Sequence, residues 1–227
     1  EMPNPWWHLR GLCWVPPRQP SGMSRFCHSG PGKDYALPNS SWSKDMTSQF
    51  NKFMEMSKSG LWQRISSHRR LMYDLPGGNL LFSFPKFYPQ SDSRFFCRNL
   101  DVEGLGFEYV MFWNQSEKRM ICIFQPGPYL EGYTGFVHGG CIATIIDNAF
   151  IGCALFTANL DINYKAPLPL GSVVLVDTKV DKTEGRKTFI SGTVQRADGK
   201  MVYAHATLLF IHMDPQTSSQ LEEASKL

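Results

Sequence analysis

The sequence predicts an α+β fold in which a curved antiparallel sheet wraps around one central helix, with a helical extension ahead of it. Three observations predict it. One apolar segment with helical spacing, GFVHGGCIATIIDNAF over residues 135–150, stands alone in the second half of the chain. Runs of aromatic and β-branched residues flank it on both sides. The turns between the later runs, Glu184-Gly185 and Ala197-Asp198-Gly199, are short enough to join antiparallel neighbours. A single apolar helix packed on antiparallel strands is an α+β architecture.

Taken in chain order, residues 1–33 differ from the rest. No acidic residue lies between Glu1 and Asp34, while Arg10, Arg18, Arg25 and Lys33 are spread through a stretch containing Trp, Pro and Ser. That is the composition of a mitochondrial transit peptide; a disordered tail is the alternative, since Pro16-Pro17 and Pro20 weaken an amphipathic helix. The expected location is mitochondrial, in the matrix or against the inner membrane, with the cytosol as second choice. Residues 34–94 read as a helical and loop extension. Asn39-Ser40-Ser41 has the chemistry of a cap, and Trp42, Met46, Phe50, Phe53 and Met54 then recur at helical spacing up to Gly60. Residues 61–94 show no firm periodicity, and Pro76-Gly77-Gly78, Pro85 and Pro89 mark loops.

The strand-rich domain spans residues 95–213, and residues 214–227 form a polar tail. FEYVMFW (residues 107–113), a polar turn at 114–117 and RMICIF (residues 119–124) make a hairpin. After a Gly- and Pro-rich loop and the apolar helix come four strand segments at residues 157–165, 172–180, 187–195 and 201–211, read as consecutive and antiparallel.

A length of 227 residues allows one domain with a real core and an accessory segment. With 42% hydrophobic and 19% charged residues the chain has an ordinary globular composition. A net charge of +3 is too small to argue for nucleic acid. No apolar run approaches the roughly 20 residues of a membrane span. Arg64, Arg69 and Arg70 could meet a partner or a membrane surface peripherally, although a solvated face is the plainer reading. The six cysteines form no CxxC pair and no Cys/His cluster at zinc spacing, so reduced thiols and no metal site are expected.

The chemistry concentrates in the apolar helix. Ile142, Ile145, Ile146, Ala149 and Phe150 give it a broad apolar surface, whereas Gly140, Ala143, Thr144 and Asp147 form a small, polar stripe along one face. Gly139 and Gly140 stand where the first backbone N–H groups of a helix lack partners and carry the positive end of its dipole. Without side chains there, a carbonyl oxygen can approach and its oxyanion be stabilised; a tight turn is the alternative use. Asp147 serves either as a catalytic acid or as an acid hydrogen-bonded to a neighbouring hydroxyl or strand. His138 suits a structural role orienting the loop better than that of general base. Gly140 and Asp147 lie about 10 Å apart along the helix axis at 1.5 Å per residue. A donor and a base acting on one carbonyl must each be within roughly 3 Å of it, so a two-fold dimer is expected to pair the glycine end of one helix with Asp147 of its mate.

GFVHGGCIATIIDNAF followed by TANLDINYKAPLPLGS resembles the hotdog-fold acyl-CoA thioesterases of the HGG…D type, most closely the mitochondrial branch of thioesterase superfamily members four and five. The similarity extends through DYALPNSSW, GFEYVMF, FQPGPYLEG and DKTEGRK, and so from about residue 34 to 212. The resemblance implies hydrolysis of medium- to long-chain fatty acyl-CoA to free fatty acid and CoA. It implies no organic cofactor and a homodimer or higher oligomer. Its catalytic group would be Asp147 as general base or nucleophile, Gly139 and Gly140 as N–H donors, Thr157 to position water or carboxylate, and His138 beside them. Asn163, Lys165, Arg186 and Lys187 would bind the CoA portion, the cations suiting its phosphates. A non-catalytic hotdog protein binding acyl-CoA or a protein partner is the rival, and a hydratase on the same fold a weaker one. Nine residues separate Asp147 from Thr157, fewer than in the family pattern. Either Gly152 ends the helix and the strand begins early, or residues 153–156 turn abruptly.

Overall fold

The computed structural model describes residues 33–67, 96–98, 102–149 and 155–212. The expectations for the transit segment and the polar tail therefore lie outside the described residues. The elements are α1 (Lys44–Ser57), β1 (Trp62–Ile65), β2 (Phe107–Asn114), β3 (Arg119–Pro126), α2 (Gly139–Asn148), β4 (Leu155–Tyr164), β5 (Val174–Glu184), β6 (Lys187–Arg196) and β7 (Val202–His212). The seven strands form one antiparallel sheet in the order β1-β2-β3-β5-β6-β7-β4.

Two features correct the sequence expectation. The four strands after α2 are not laid down side by side: β4 pairs with β7 at the far edge, and β5 pairs with β3. The segment between β4 and β5 carries the chain from that edge to the middle of the sheet. Val137 N–H and Leu170 N–H are tied by hydrogen bonds to Leu168 O and Gly135 O, which anchors this crossing beside the start of α2. The second feature is β1, a strand inside the expected loop region, paired with β2 from Trp62↔Asn114 to Ile65↔Met111. It is four residues long, too short to show a period.

The helix α1 starts later than its apolar spacing suggests. Ser43 is its N-cap, its hydroxyl accepting from Met46 N–H. Trp42 stands just before the helix and donates through its indole N–H to Glu108 Oε2. Asn39 instead turns the chain locally, its Oδ1 accepting from Ser41 N–H. Met46, Phe50 and Phe53 are buried against Phe112, Ile121 and Ile123 on one face of the sheet, and Met54 is exposed.

The other face holds α2. Ile142, Ile145, Ile146 and Ala149 belong to one hydrophobic core with residues from all seven strands, among them Ile65, Met111, Phe124, Leu160, Val176, Ile190 and Phe210. A ten-residue helix is only about 15 Å long, so seven strands can share one core with it only if the sheet curls around it. Burying the three isoleucines is worth about 2 kcal/mol each. That exceeds the cost of about 1 kcal/mol for each of the two glycines that open the helix.

Candidate active site

The start of α2 is held by its preceding loop. Gly132 N–H bonds to Phe136 O, His138 N–H to Leu130 O and Gly135 N–H to the Glu131 carboxylate. A Cβ on Gly132 would sit 2.7 Å from His138 Cα, so the loop closes this tightly only with glycine there. His138 then acts as N-cap: its Nδ1 accepts from Gly140 N–H at 2.9 Å. The imidazole thus orients the helix start, as its position before the glycines suggested.

This bond separates the two glycines. The Gly140 N–H is occupied within the chain, so the pair of amide donors expected from sequence narrows to one. The Gly139 N–H has no hydrogen-bond partner among the described residues. Space separates them as well. A Cβ on Gly140 would lie 2.9 Å from His138 Nδ1, so the cap itself demands glycine. A Cβ on Gly139 would meet only Tyr164, at 3.5 Å from Oη and 3.6 Å from Cζ, which is ordinary contact. Nothing within the described fold requires Gly139 to be glycine. Apart from Tyr164, the space beside its Cα is open.

Asp147 lies two turns further on. It is half-buried, on the open face that also carries Gly140, Ala143 and Thr144, and not in the apolar core. Its Oδ1 accepts from the Thr157 hydroxyl at 2.6 Å. Thr157 sits on β4, opposite Phe210 of β7, at a register shift between Thr157 and Asn159. A bulge at this place re-aims a side chain locally. Helix and strand thus bring together two residues that the sequence keeps ten positions apart. α2 ends at Asn148 and β4 begins at Leu155, so the helix stops before Gly152; the connection itself is outside the described residues.

Thiols are poor competitors for chemistry here. Burial pushes the Cys141 thiol up, and burial pushes Cys97 up to about 12 despite the neighbouring Arg98 cation. Both are free cysteines.

Tyr164, at the end of β4, was not among the residues picked out from sequence. Its hydroxyl donates to Gly139 O at 2.8 Å, although its side is half open to solvent. The contact joins residues 25 apart in the chain, and no local pattern signals it.

The four residues expected at CoA are all exposed, but one chain does not bring them together. Asn163 pairs with His205, near the end of β4, and Lys165 follows, its N–H bonded to Tyr203 O. Lys187 pairs with Ile211, and Arg186 Nε donates to His212 O, beside the start of β4, where Leu155 pairs with His212. From His212 to His205 is seven residues, about 24 Å along a strand. The four form two pairs at opposite ends of β4. Arg64 is likewise not a free surface cation: it binds the Asp34 carboxylate at 2.9 Å and Ala36 O. Arg69 and Arg70 lie outside the described residues.

Residues 134–203 match the family model for the thioesterase superfamily. The acyl-coenzyme A thioesterase THEM4 of Xenopus laevis is 47% identical over 189 residues, covering 81% of this chain and 82% of its own. The chain belongs to the thioesterase superfamily. This thioesterase is also similar to acyl-coenzyme A thioesterase THEM5 of Mus musculus, at 39% identity over 205 residues, 87% of this chain and 83% of that one. Among solved structures, smu.793 from Streptococcus mutans UA159, bound to acetyl CoA, is 22% identical with a TM-score of 0.42, over 51% of this chain and 94% of that one. The sheet curled around α2 is the hotdog arrangement expected from the sequence. The thioesterase match begins at Thr134 and ends at Tyr203, so it contains Gly139, Asp147, Thr157 and both pairs of CoA-binding candidates.

Proposed function

We propose that this thioester hydrolase acts on medium- to long-chain fatty acyl-CoA, with Asp147 as its base. The observation that carries the reading is the 2.6 Å bond from the Thr157 hydroxyl to Asp147 Oδ1 on the open face of α2. Thr157 holds one carboxylate oxygen, and Oδ2 has no hydrogen-bond partner among the described residues. In the proposed reaction Oδ2 takes a proton from water as the water oxygen attacks the thioester carbonyl. The oxyanion that forms is held by the Gly139 N–H at the positive end of a helix. Collapse of the tetrahedral species breaks the C–S bond, and the proton on Asp147 passes to the departing CoA thiolate. Direct attack by Asp147, giving an anhydride that water then opens, is the alternative sequence of steps on the same residues. Neither route asks for a metal or an organic cofactor.

The proposed site is shared across a two-fold dimer. Gly139 and Asp147 lie eight residues apart on one helix, about 12 Å, which is too far for both to reach one carbonyl. β4 has β7 on one side only and is exposed along most of its length. Such an edge invites pairing. Antiparallel pairing of β4 with its copy puts the start of one strand beside the end of the other. Asn163 and Lys165 then meet the partner's Arg186 and Lys187, which reunites the cationic cluster for the CoA phosphates. Mitochondrial location, suggested by residues 1–33, is the accompanying proposal. Import of the full chain into isolated mitochondria with cleavage near residue 33 tests it.

The test of function is palmitoyl-CoA hydrolysis by the full chain and by Asp147→Asn, which is expected to lose activity by about 10³-fold. Undiminished hydrolysis by that variant overturns the assignment. Palmitoyl-CoA binding without turnover in the unaltered chain moves the reading to a regulatory acyl-CoA binder. Mixed dimers of Gly139→Ala with Asp147→Asn chains are expected to recover one working site in two; no recovery refutes the shared site.

A further inference from the structure

We propose that Tyr164 is a positioning residue for hydrolysis, resting on the reading of Gly139 N–H as the oxyanion donor. Together with His138 it clamps the peptide between Gly139 and Gly140 at both ends. Tyr164 Oη holds the carbonyl oxygen of that peptide at 2.8 Å, and His138 Nδ1 holds its N–H at 2.9 Å. The two bonds come from opposite directions, as a trans peptide requires, since its C=O and N–H point oppositely.

The clamp has a purpose that helix formation alone does not supply. Two consecutive glycines have the widest backbone freedom of any pair, and they stand at the fraying end of a helix. The Gly139 N–H belongs to the preceding peptide, whose His138 O accepts from the Cys141 and Ile142 N–H groups. A change in ψ of Gly139 or in φ of Gly140 swings that peptide relative to the rest of the helix and so tilts the N–H away from a fixed target. Held at both ends, the peptide between the two glycines cannot rotate without breaking a hydrogen bond. The Gly139 N–H, which has no partner among the described residues, is thereby aimed before substrate arrives. Preorganisation of this kind is what makes an oxyanion donor effective.

The surroundings of Tyr164 fit this role better than a packing role. The side chain is 48% exposed, whereas the tyrosines of the fold core, Tyr109 and Tyr203, are 3% and 6% exposed. A Cβ on Gly139 would meet its ring and hydroxyl at 3.5 to 3.8 Å, so the tyrosine forms one wall of the space that the missing side chain leaves open. Burial on that side raises the phenol's pKa, which keeps the hydroxyl protonated and able to donate. Asn163 and Lys165, its sequence neighbours, are candidates for CoA binding; Tyr164 itself reaches back to the helix.

The test compares the full chain with Tyr164→Phe, which removes one hydroxyl, and with Gly139→Ala, which keeps the N–H and blocks access to it. Tyr164→Phe is expected to lower kcat for palmitoyl-CoA about tenfold, with KM within twofold, since the donor matters only as charge develops. Hydrogen exchange of the Gly140 amide is expected to rise at least about tenfold as the peptide loosens, a measurement independent of catalysis. Gly139→Ala is expected to lose nearly all activity while keeping its melting temperature. If Gly139→Ala is inactive but Tyr164→Phe keeps full kcat and slow Gly140 exchange, the clamp is refuted and the oxyanion reading stands. A raised KM with unchanged kcat in Tyr164→Phe makes the tyrosine a substrate contact and also refutes it. Full activity in Gly139→Ala overturns the oxyanion reading, and the clamp's catalytic role with it.

Discussion

Replacing Thr157 by valine isolates the bond on which the proposed base depends. Valine keeps the branched shape and the strand preference of threonine, so β4 and its pairing with β7 survive. What is lost is the hydroxyl that donates to Asp147 Oδ1 at 2.6 Å. A hydrogen bond to a charged group is worth about 1.5–3 kcal/mol. Here Thr157 is exposed and Asp147 only half-buried, so water can partly replace the hydroxyl and the lower end of that range applies. About 1.5 kcal/mol corresponds to roughly a tenfold change in rate. Thr157→Val is therefore expected to lower kcat about tenfold, with KM for palmitoyl-CoA nearly unchanged, because the bond orients the base and does not touch the CoA. Thr157→Ser, which restores the hydroxyl, is expected to stay within about threefold of the unaltered chain. The assay is steady-state release of CoA followed with a thiol reagent, with the melting temperature measured on each variant. A Thr157→Val enzyme with kcat within twofold of the unaltered protein, at equal stability, refutes the positioning of Asp147 by Thr157.

Other perturbations probe the rest of the site and the fold. Lys165→Glu is expected to raise KM for acyl-CoA about tenfold at unchanged kcat, by removing a cation from the phosphates; a kcat effect alone contradicts a binding role. His138→Ala, which removes the ring that accepts from Gly140 N–H, is expected to cost about 1 kcal/mol of cap energy, read as a fall of a few degrees in melting temperature. An unchanged melting temperature with unchanged activity removes His138 from its role as cap. Acid unfolding carries a signature of Asp34. Burial works against its charge, but the Ser67 and Ala36 N–H groups and the Arg64 guanidinium outweigh that and hold the carboxyl at about 2. Its folded pKa is depressed, so its contribution is complete above the ordinary carboxylate value near 3.8 and is lost as pH falls from there to 2. Asp34→Asn is expected to reduce stability at pH 7 by on the order of 1 kcal/mol after solvent screening, and to unfold with less pH dependence between 4 and 2.

What was legible in the sequence was local. The start of α2 follows from an apolar helical period behind two glycines, and the β2–β3 hairpin from two aromatic runs around a polar turn. The turn at Gly185 follows from a glycine whose φ of 56° suits the first place of a two-residue hairpin loop. The small stripe Gly140, Ala143, Thr144 and Asp147 was visible by spacing alone, and it is the open face of the helix. What was not legible depends on contacts distant in sequence. β1 is strand only because Trp62 and Ile65 find β2, with Gln63 and Arg64 between them. β4 lies beside β7 because the chain crosses the helix before β5, and no residue pattern within β4 says so. The separation of the CoA candidates into two pairs follows from that same crossing. Tyr164 escaped notice because a tyrosine in a strand reads as ordinary β composition until its hydroxyl is seen on Gly139.

The short connection between α2 and β4 bears on whether the site can work at all. Nine residues between Asp147 and Thr157 looked like a defect beside the family pattern, because a shorter link could pull Thr157 out of reach. Chain length does not impose that. Six residues, 149–154, join the end of α2 to the start of β4, and an extended chain covers about 3.3 Å or more per residue. They can therefore span roughly 20 Å, ample for a strand lying beside the helix it follows. The two side chains do meet, at 2.6 Å. The cost of shortening falls on register, and the irregularity between Thr157 and Asn159 is where β4 absorbs a residue against β7. With the bulge there, Thr157 faces the helix while Asn159 through Tyr164 keep continuous pairing with β7. Ala158 is the extra residue, and deleting it leaves Thr157 opposite Phe210 in a regular strand, on the same face as Leu160. That deletion is expected to keep the β4–β7 pairing and to leave hydrolysis within about tenfold of the unaltered chain; loss as full as in Asp147→Asn, at equal melting temperature, would show that the bulge itself, and not register alone, aims Thr157 at Asp147.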